Sequence, residues 1–378
     1  MDLTPTSEEQ AFRDEVRSWL EANHPGPEPE GDDSAKFEFQ RHWQSELHEA
    51  GWAGISWPKD YGGRGATLVE QAIFSEEMPR SRAPRPANVL GLVMGGPVVI
   101  AHGDEDQKER FLEPILSAEE IWCQGFSEPE SGSDLASLKT KAVAENGGWR
   151  VTGQKVWTTF AHEAKWCMLL ARTDPDAPKH KGLTYFILDM EQDEVDLRPL
   201  RQITGEAEFN EIFMEGASVP DENVVGGVGN GWMVGITTLM HERAGLGAAS
   251  AVALRRDLDD LVALIQERGL ADDPVIRDRV ARLQVAAEAL RLGGLRTLTQ
   301  TMRTGIPGPE GSLAKWQWAD ANQELTELAT DVLGPGGLER SEWSYKFLRS
   351  RANSIEGGTT EVMKNIIAER VLGLPRLR

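Results

Sequence analysis

Four segments carry residues whose types and spacing could do chemistry. The turn Phe126-Ser127-Glu128-Pro129-Glu130-Ser131-Gly132-Ser133-Asp134 offers small residues, hydroxyls and freely placed backbone N–H groups. A loop that holds a phosphate or the edge of a heterocycle needs those groups. Gly132 permits close approach of the backbone, and Ser127 and Ser133 supply donors. Ser/Gly/Asp-rich stretches are also ordinary turns, so taken alone this one leaves both readings open. Gly153-Gln154-Lys155-Val156-Trp157-Thr158-Thr159-Phe160 sets an indole beside two hydroxyls, which suits one face of a planar cofactor or, equally, a tryptophan of a sheet core. After Gly231-Trp232, the residues Gly235, Thr238, Glu242, Gly245 and Ala249 fall within about 80° of one another on a helical wheel. That stripe fits either a bulky ligand with Glu242 pointing at it, or close helix packing with Glu242 paired to an arginine. Last, Ser354-Ile355-Glu356-Gly357-Gly358-Thr359-Thr360-Glu361 places paired glycines before a threonine at a helix start, where backbone N–H groups favour an anion.

These segments sit in three regions of different texture. From Ser7 to about Ala118 the apolar pattern is helical; one helix follows Thr6-Ser7 and carries Phe12, Val16, Trp19 and Leu20 on a stripe. From Ile121 to about Gly227 the period changes to two. Strands are expected at 121–126, 138–145, 149–152, 155–158, 165–172, 183–189, 196–201 and 210–215, with Asn146-Gly147-Gly148 as a hairpin turn. Short strands at that spacing predict a small barrel or sandwich. From Gly231 onward long amphipathic segments return at about 231–268, 273–303, 310–333, 339–351 and 358–371, as in a four-helix bundle, with a bend allowed at Gly293-Gly294. The fold class is therefore α+β. The expected domains are 1–120 (α-helical), 121–230 (β-barrel-like) and 231–378 (four-helix bundle).

The 378 residues, 40% hydrophobic and 27% charged, have the composition of an ordinary folded protein. No run is long and apolar enough for a membrane helix, and the start Met1-Asp2-Leu3-Thr4-Pro5 lacks the basic and apolar segments of a secretory signal; the cytoplasm is the expected location. A net charge of −21 argues against nucleic acid or an anionic membrane as partner. A nucleotide-like polyanion stays open if basic residues gather locally. Cys123 and Cys167 lie in apolar runs and are expected as buried reduced thiols, not as metal ligands or a disulfide framework.

Several motifs in register resemble the acyl-CoA dehydrogenase family over nearly the whole chain. They are Trp57-Pro58-Lys59-Asp60-Tyr61-Gly62-Gly63-Arg64-Gly65, His102-Gly103-Asp104-Glu105-Asp106-Gln107-Lys108, Phe126-Ser127-Glu128-Pro129 with Gly132-Ser133-Asp134, Asn210-Glu211-Ile212-Phe213, Val219-Pro220, and Ile366-Ile367-Ala368-Glu369-Arg370-Val371-Leu372-Gly373. The resemblance implies bound FAD, contacted by Gln124, Phe126 and Ser127, flanked by Trp157 and Thr159, and touched by Thr359. Ser133 would serve the cofactor pyrophosphate or the CoA of the substrate, with Arg243 and Gly357 on the substrate side. The implied reaction is α,β-dehydrogenation of an acyl-CoA to a trans-2-enoyl-CoA, a carboxylate taking the α-proton and hydride passing to FAD.

Family members place that carboxylate either just before the C-terminal Gly-Thr or on the bundle helix before an arginine. Alignment on Gly358-Thr359 puts Gly357 at the first position, and Glu242-Arg243 matches the second, so Glu242 is the expected base and Glu356 its competitor. The sequence departs from the family where Gln266-Glu267-Arg268-Gly269-Leu270 replaces an Arg-x-x-Phe-Gly element and where Asp331 replaces a glutamine. The implied partners are electron-transfer flavoprotein as electron acceptor and further subunits, in a homotetramer or in a heterotetramer with a related chain. An oxidase or monooxygenase on the same fold, and a non-catalytic subunit of a hetero-oligomer, are the alternatives.

Overall fold

The computed structural model describes residues 5–29, 31, 33–244, 246–304 and 308–376, and for 242–244 and 246–248 it describes the backbone alone. The N-terminal region is helical: α1 (Ser7–Asn23), α2 (Asp33–Glu49), α3 (Leu68–Ser81), α4 (Gly96–His102) and α5 (Glu105–Ser117). Local chemistry starts three of them. Thr6, Thr67 and Asp104 each accept a hydrogen bond from the third backbone N–H of the helix, and Glu9, Glu70 and Gln107 reach back to the cap residue.

The middle region is one eight-stranded sheet. Its strands are β1 (Trp122–Gly125), β2 (Lys141–Glu145), β3 (Gly148–Thr159), β4 (Trp166–Arg172), β5 (Leu183–Asp189), β6 (Val195–Leu200), β7 (Phe209–Pro220) and β8 (Val224–Val225). They run in the order β6-β7-β3-β2-β4-β5-β8, with β1 parallel to β4. The two strands expected at 149–152 and 155–158 are one strand, β3, because it pairs with β7 along most of its length; bulges between Val151 and Thr152 and between Lys155 and Thr158 absorb the irregularity. The hairpin at Asn146-Gly147 joins β2 to β3 as read from the sequence, both residues having positive φ.

The C-terminal region is helical again: α6 (Gly231–Ala244), α7 (Leu246–Glu267), α8 (Pro274–Thr304), α9 (Gly311–Leu333), α10 (Glu342–Ser350) and α11 (Thr360–Ile366). The expected single helix over 231–268 is α6 and α7 on either side of Gly245, which lies outside the described residues. Helix α8 continues through Gly293-Gly294.

The chain forms two compact units, 27–66 with 84–241, and 1–26 with 67–83 and 242–378. In the second, Leu254, Leu258 and Leu261 of α7, Leu283 and Leu290 of α8, and Leu325 and Leu328 of α9 make the core. Helix α1 joins α3 there through Glu77, which is 2% exposed and paired with Arg13, Arg17 and Arg80. Burial works to raise that carboxyl, but Arg17 and Arg13 outweigh it and hold it below the usual carboxylate range.

In the first unit, one buried asparagine anchors the strand that leads to the signature turn. Asn88 accepts from the backbone N–H of Trp122 at 2.9 Å and donates to the carbonyls of Glu120 at 2.9 Å and Ile115 at 3.3 Å. Its own N–H donates to Gln44 of α2 at 2.7 Å, and Gln44 in turn donates to Ile115 at 2.8 Å. Truncation would orphan several buried backbone groups at once. We predict that Asn88→Ala lowers the stability of the sheet unit by about 2–4 kcal/mol; chemical denaturation followed by tryptophan fluorescence measures it, and a loss under about 0.5 kcal/mol contradicts the anchor.

Candidate functional site

The turn at 126–134 is held from beneath by a buried lysine. Lys155 of β3 is 0% exposed, and its ammonium donates to the Phe126 carbonyl at 3.0 Å and to Glu128 Oε1 at 2.9 Å. Glu128, 7% exposed, also accepts the backbone N–H groups of Lys139 at 2.6 Å and Thr140 at 2.8 Å. Burial works to raise the Glu128 carboxyl, yet the Lys155 charge and the backbone donors outweigh it and hold it below the usual value. Burial also draws the Lys155 ammonium below the ordinary lysine value, against the pull of Glu128. Glu128 and Ser131 exchange backbone hydrogen bonds of 3.1 and 3.0 Å, which closes the tight part of the turn.

Next to this latch the backbone of Val156 donates to the carbonyl of Ser127 at 2.9 Å. The signature turn is thereby laid against β3 one residue before Trp157. Trp157 has φ +62°, a left-handed conformation that a bulky residue rarely adopts, and it sits in the bulge between Lys155 and Thr158. The bulge turns its indole outward: it is 61% exposed, touched edge-on by Phe209 with ring centroids 6.2 Å apart. Thr159, half-buried, pairs with Phe209 across the strands. Trp157 is therefore not a tryptophan of the sheet core.

The Val156–Ser127 bond sets Phe126 and Ser127 beside the stretch of β3 that carries Trp157 and Thr159. Gln124 on β1 buries its side-chain nitrogen, and among the described residues that nitrogen has no hydrogen-bond partner; the same holds for the hydroxyl of Thr158. Unpaired buried donors in a folded protein call for a ligand or water. Phe126 is buried and meets the Tyr185 ring edge to face at 6.0 Å. Ser127 is half-buried and Ser133 exposed. Beside Ser133, Asp134 pairs with Lys179 at 2.5 Å, and earlier in the turn Glu130 pairs with Lys139.

Glu242 and Arg243 lie near the C-terminal end of α6, and nothing of their side chains is described. The start of that helix is packed tightly on the sheet. A Cβ at Gly231 would lie 2.5 Å from the Thr184 backbone, Gly235 faces Leu170, and buried Thr238 donates to the Tyr185 hydroxyl at 3.4 Å. So the first two members of the small-residue stripe serve packing.

The remaining expected residues belong to the other unit. Gly357 and Gly358 have φ of +62° and +99°, and Thr359 caps α11 by accepting from the Val362 N–H at 3.2 Å. Glu356 is held there by Arg349, with N–O distances of 3.1 and 2.9 Å, and by Asn353 at 2.7 Å. Asp331, at a position where the sequence departs from the family, pairs with Arg279 of α8 at 2.6 Å. Cys123 and Cys167 are buried thiols, as expected, and the structure sets them opposite each other on β1 and β4. Among the described residues no cluster could hold a metal ion, and no helix is long and apolar enough to cross a membrane. Sequence reasoning missed Lys155, Glu128 and Lys315 as organising groups; a lysine in an apolar stretch of β3 was the available signal.

Sequence models of the acyl-CoA dehydrogenase N-terminal, middle and C-terminal domains match residues 6–119, 123–216 and 229–372. Acyl-CoA dehydrogenase IpdE1 of Mycobacterium tuberculosis is 41% identical over 377 residues, covering 97% of both chains. The chain belongs to the acyl-CoA dehydrogenase family. It is thus an oxidoreductase of a flavin-dependent family that dehydrogenates acyl-CoA thioesters. Two solved structures are similar over the full length of both chains: the Tcur3481–Tcur3483 steroid ACAD, with a TM-score of 0.87 and 29% identity, and the ChsE4–ChsE5 complex of Mycobacterium tuberculosis, with 0.84 and 26%.

The latch can be tested by a double-mutant cycle. Lys155→Met or Glu128→Gln alone leaves a buried charge or its donors unmatched and should lower stability by about 3–5 kcal/mol. The double variant should lose less than the sum of the two. The Glu128 carboxyl is held below its unfolded value, so its stabilising contribution is complete above about pH 4.3 and is lost as pH falls through the lower folded value. Denaturation midpoints of the four proteins at pH 7 and pH 3.5 measure both effects; strictly additive losses contradict a paired latch.

Proposed function

We propose that the protein binds FAD and converts an acyl-CoA to its trans-2-enoyl-CoA, with Glu242 as the base that removes the α-proton. The observation that carries this reading is the Val156–Ser127 hydrogen bond, which lays the signature turn beside an outward-facing Trp157. These residues fit a flavin: buried donors at Gln124 and Thr158 that find no partner among the described residues, an exposed indole and a small-residue turn are the groups a planar heterocycle with a polar edge requires. When bound, FAD supplies the acceptor of the hydride.

The chain's own residues do the rest. Gln124, Ser127 and Thr159 orient the ring edge, Trp157 covers a face, and Phe126 keeps water out. Ser133 serves the cofactor pyrophosphate or the CoA of the substrate. Thr359 and Gly357 add contacts to cofactor and substrate, and Arg243 adds one to the substrate. Because an α-proton is weakly acidic, the thioester carbonyl must accept hydrogen bonds in a dry site while Glu242 takes the proton at its carboxylate. Desolvation makes such a carboxylate a stronger base. Glu356 suits the role poorly: its two oxygens already accept from Arg349 and Asn353, so neither is turned to a substrate.

On this reading segments 1–120, 121–230 and 231–378 act as the three family domains, in the cytoplasm, with electron-transfer flavoprotein as the acceptor. The similarity to the Tcur3481–Tcur3483 and ChsE4–ChsE5 assemblies supports a hetero-oligomer. On this reading it is a heterotetramer with a related chain, in which this chain, having Glu242, is the catalytic partner. A steroid-derived acyl-CoA is the substrate to try first, ahead of straight, branched and aromatic ones.

Purified protein should be yellow and should bleach anaerobically with one acyl-CoA of such a panel. Glu242→Gln should slow bleaching by about a hundredfold or more, whereas Glu356→Gln should bleach within a few-fold of the parent and unfold more readily. Full activity of Glu242→Gln overturns the base assignment; rapid reoxidation by air points to an oxidase, and colourless protein to a non-catalytic subunit.

A further inference from the structure

The turn Ser354–Thr359 is closed from behind by one buried ammonium. Lys315 of α9 is 2% exposed, and its Nζ donates to the carbonyls of Asn353 and Gly358, each at 2.7 Å. These carbonyls bracket the segment 354–357, so one charge fixes both ends of a short loop. Neighbouring polar contacts from α9 add to the hold. Asn322 donates to Asn353 Oδ1 at 2.8 Å, and Gln323 donates to the Ser350 carbonyl at 2.9 Å and the Ser354 hydroxyl at 3.2 Å. Gly358 itself is wedged: a Cβ there would lie 2.5 Å from the terminal methyl of Met363.

Burying a lysine is unfavourable unless its donors are matched. A packed leucine would fill α9 without that penalty, so a specific use for the charge is implied. With Gly358's carbonyl turned toward Lys315, the peptide that joins Gly358 to Thr359 has its orientation set, and the Thr359 cap follows from it. An ammonium on that carbonyl also polarises the peptide, which strengthens its N–H as a donor to an anion or an electron-rich ring edge.

We infer that Lys315 is a positioning residue for cofactor binding, acting through the carbonyls of Asn353 and Gly358 to hold Gly357-Gly358-Thr359 in its ligand-binding path. This rests on the flavoprotein reading above. The test uses full-length apoprotein with Lys315→Gln, Lys315→Arg and Gly358→Ala, titrated with FAD and compared by hydrogen–deuterium exchange. Lys315→Gln should raise the FAD dissociation constant by about tenfold or more, and it should speed exchange at 354–362 while amides in the middle of α9 keep their rates. Lys315→Arg, which retains the charge, should recover part of the affinity. Unchanged affinity in Lys315→Gln, or exchange that rises equally along α9, overturns the inference. Should Lys315→Gln fail to fold, Gly358→Ala decides, since it displaces the same carbonyl: a raised dissociation constant supports the inference and an unchanged one overturns it. If the parent chain binds no FAD, the flavoprotein reading falls and this inference with it; normal binding by parent and variants alike removes this inference alone.

Discussion

Everything proposed for the sheet unit depends on a buried ion pair between a strand and a turn. Lys155 cannot leave the interior without exposing Glu128 to an apolar surrounding, and Glu128 cannot leave without stranding the ammonium. Breaking such a pair is far more unfavourable than never having made it, so the arrangement specifies one position for the turn even if it adds little net stability. The specificity reaches the main chain because the same ammonium binds the Phe126 carbonyl and the same carboxylate binds two backbone N–H groups after the turn. Both ends of 126–140 are thereby pinned to one strand. A loop of serines and glycines has little stiffness of its own, and the latch supplies it.

The strain at Trp157 follows from that geometry. With Lys155 pointing into the core and Val156 hydrogen-bonded to Ser127, regular alternation would have to continue through Trp157 toward Thr158, which is itself fully buried. The bulge inserts the extra residue and throws the indole outward in a left-handed backbone conformation. Such a conformation costs about 1–3 kcal/mol and persists only where the surroundings over-determine it. Pairing with β7 on both sides of the bulge does that. A large exposed aromatic on a strained backbone is poor for stability and useful for covering a ring, which is where stability and function part.

Much of the architecture was legible in the sequence because it rests on local signals. The change from helical to two-residue period at Ile121, the helix start at Thr6-Ser7 and the Asn146-Gly147 hairpin each encode their element within a few residues. What was not legible depends on distant partners. Nothing near Gly153 announces that β3 is a single strand, since its continuity comes from β7, some sixty residues on. Nor does the period of 231–268 reveal that Gly235 and Thr238 serve packing on Leu170 and Tyr185. The candidate site was readable mainly through motifs that resemble a family. Its supporting charges, Lys155 with Glu128 and Lys315 with two carbonyls, were not, because a lysine in an apolar run reads the same whether it snorkels to solvent or points inward.

The two units thus share a device. In each, a lysine on a regular element reaches under an irregular turn and donates to a main-chain carbonyl of that turn: Lys155 to Phe126, Lys315 to Gly358. Lysine fits this use better than arginine. Its ammonium is compact, its stem is long and thin, and its three donors can be directed to separated acceptors, where a guanidinium imposes a flat fork. A carbonyl held from behind leaves the opposite face of its peptide free, so the turn is fixed without any side chain entering the ligand's space. The two differ in what the ammonium reaches. Lys155 meets a carboxylate as well as a carbonyl, and that carboxylate also binds two main-chain N–H groups, whereas Lys315 meets the carbonyls at both ends of its turn. The first ties its turn to the strand through a second side chain, and the second clamps its turn directly by the main chain at its two ends.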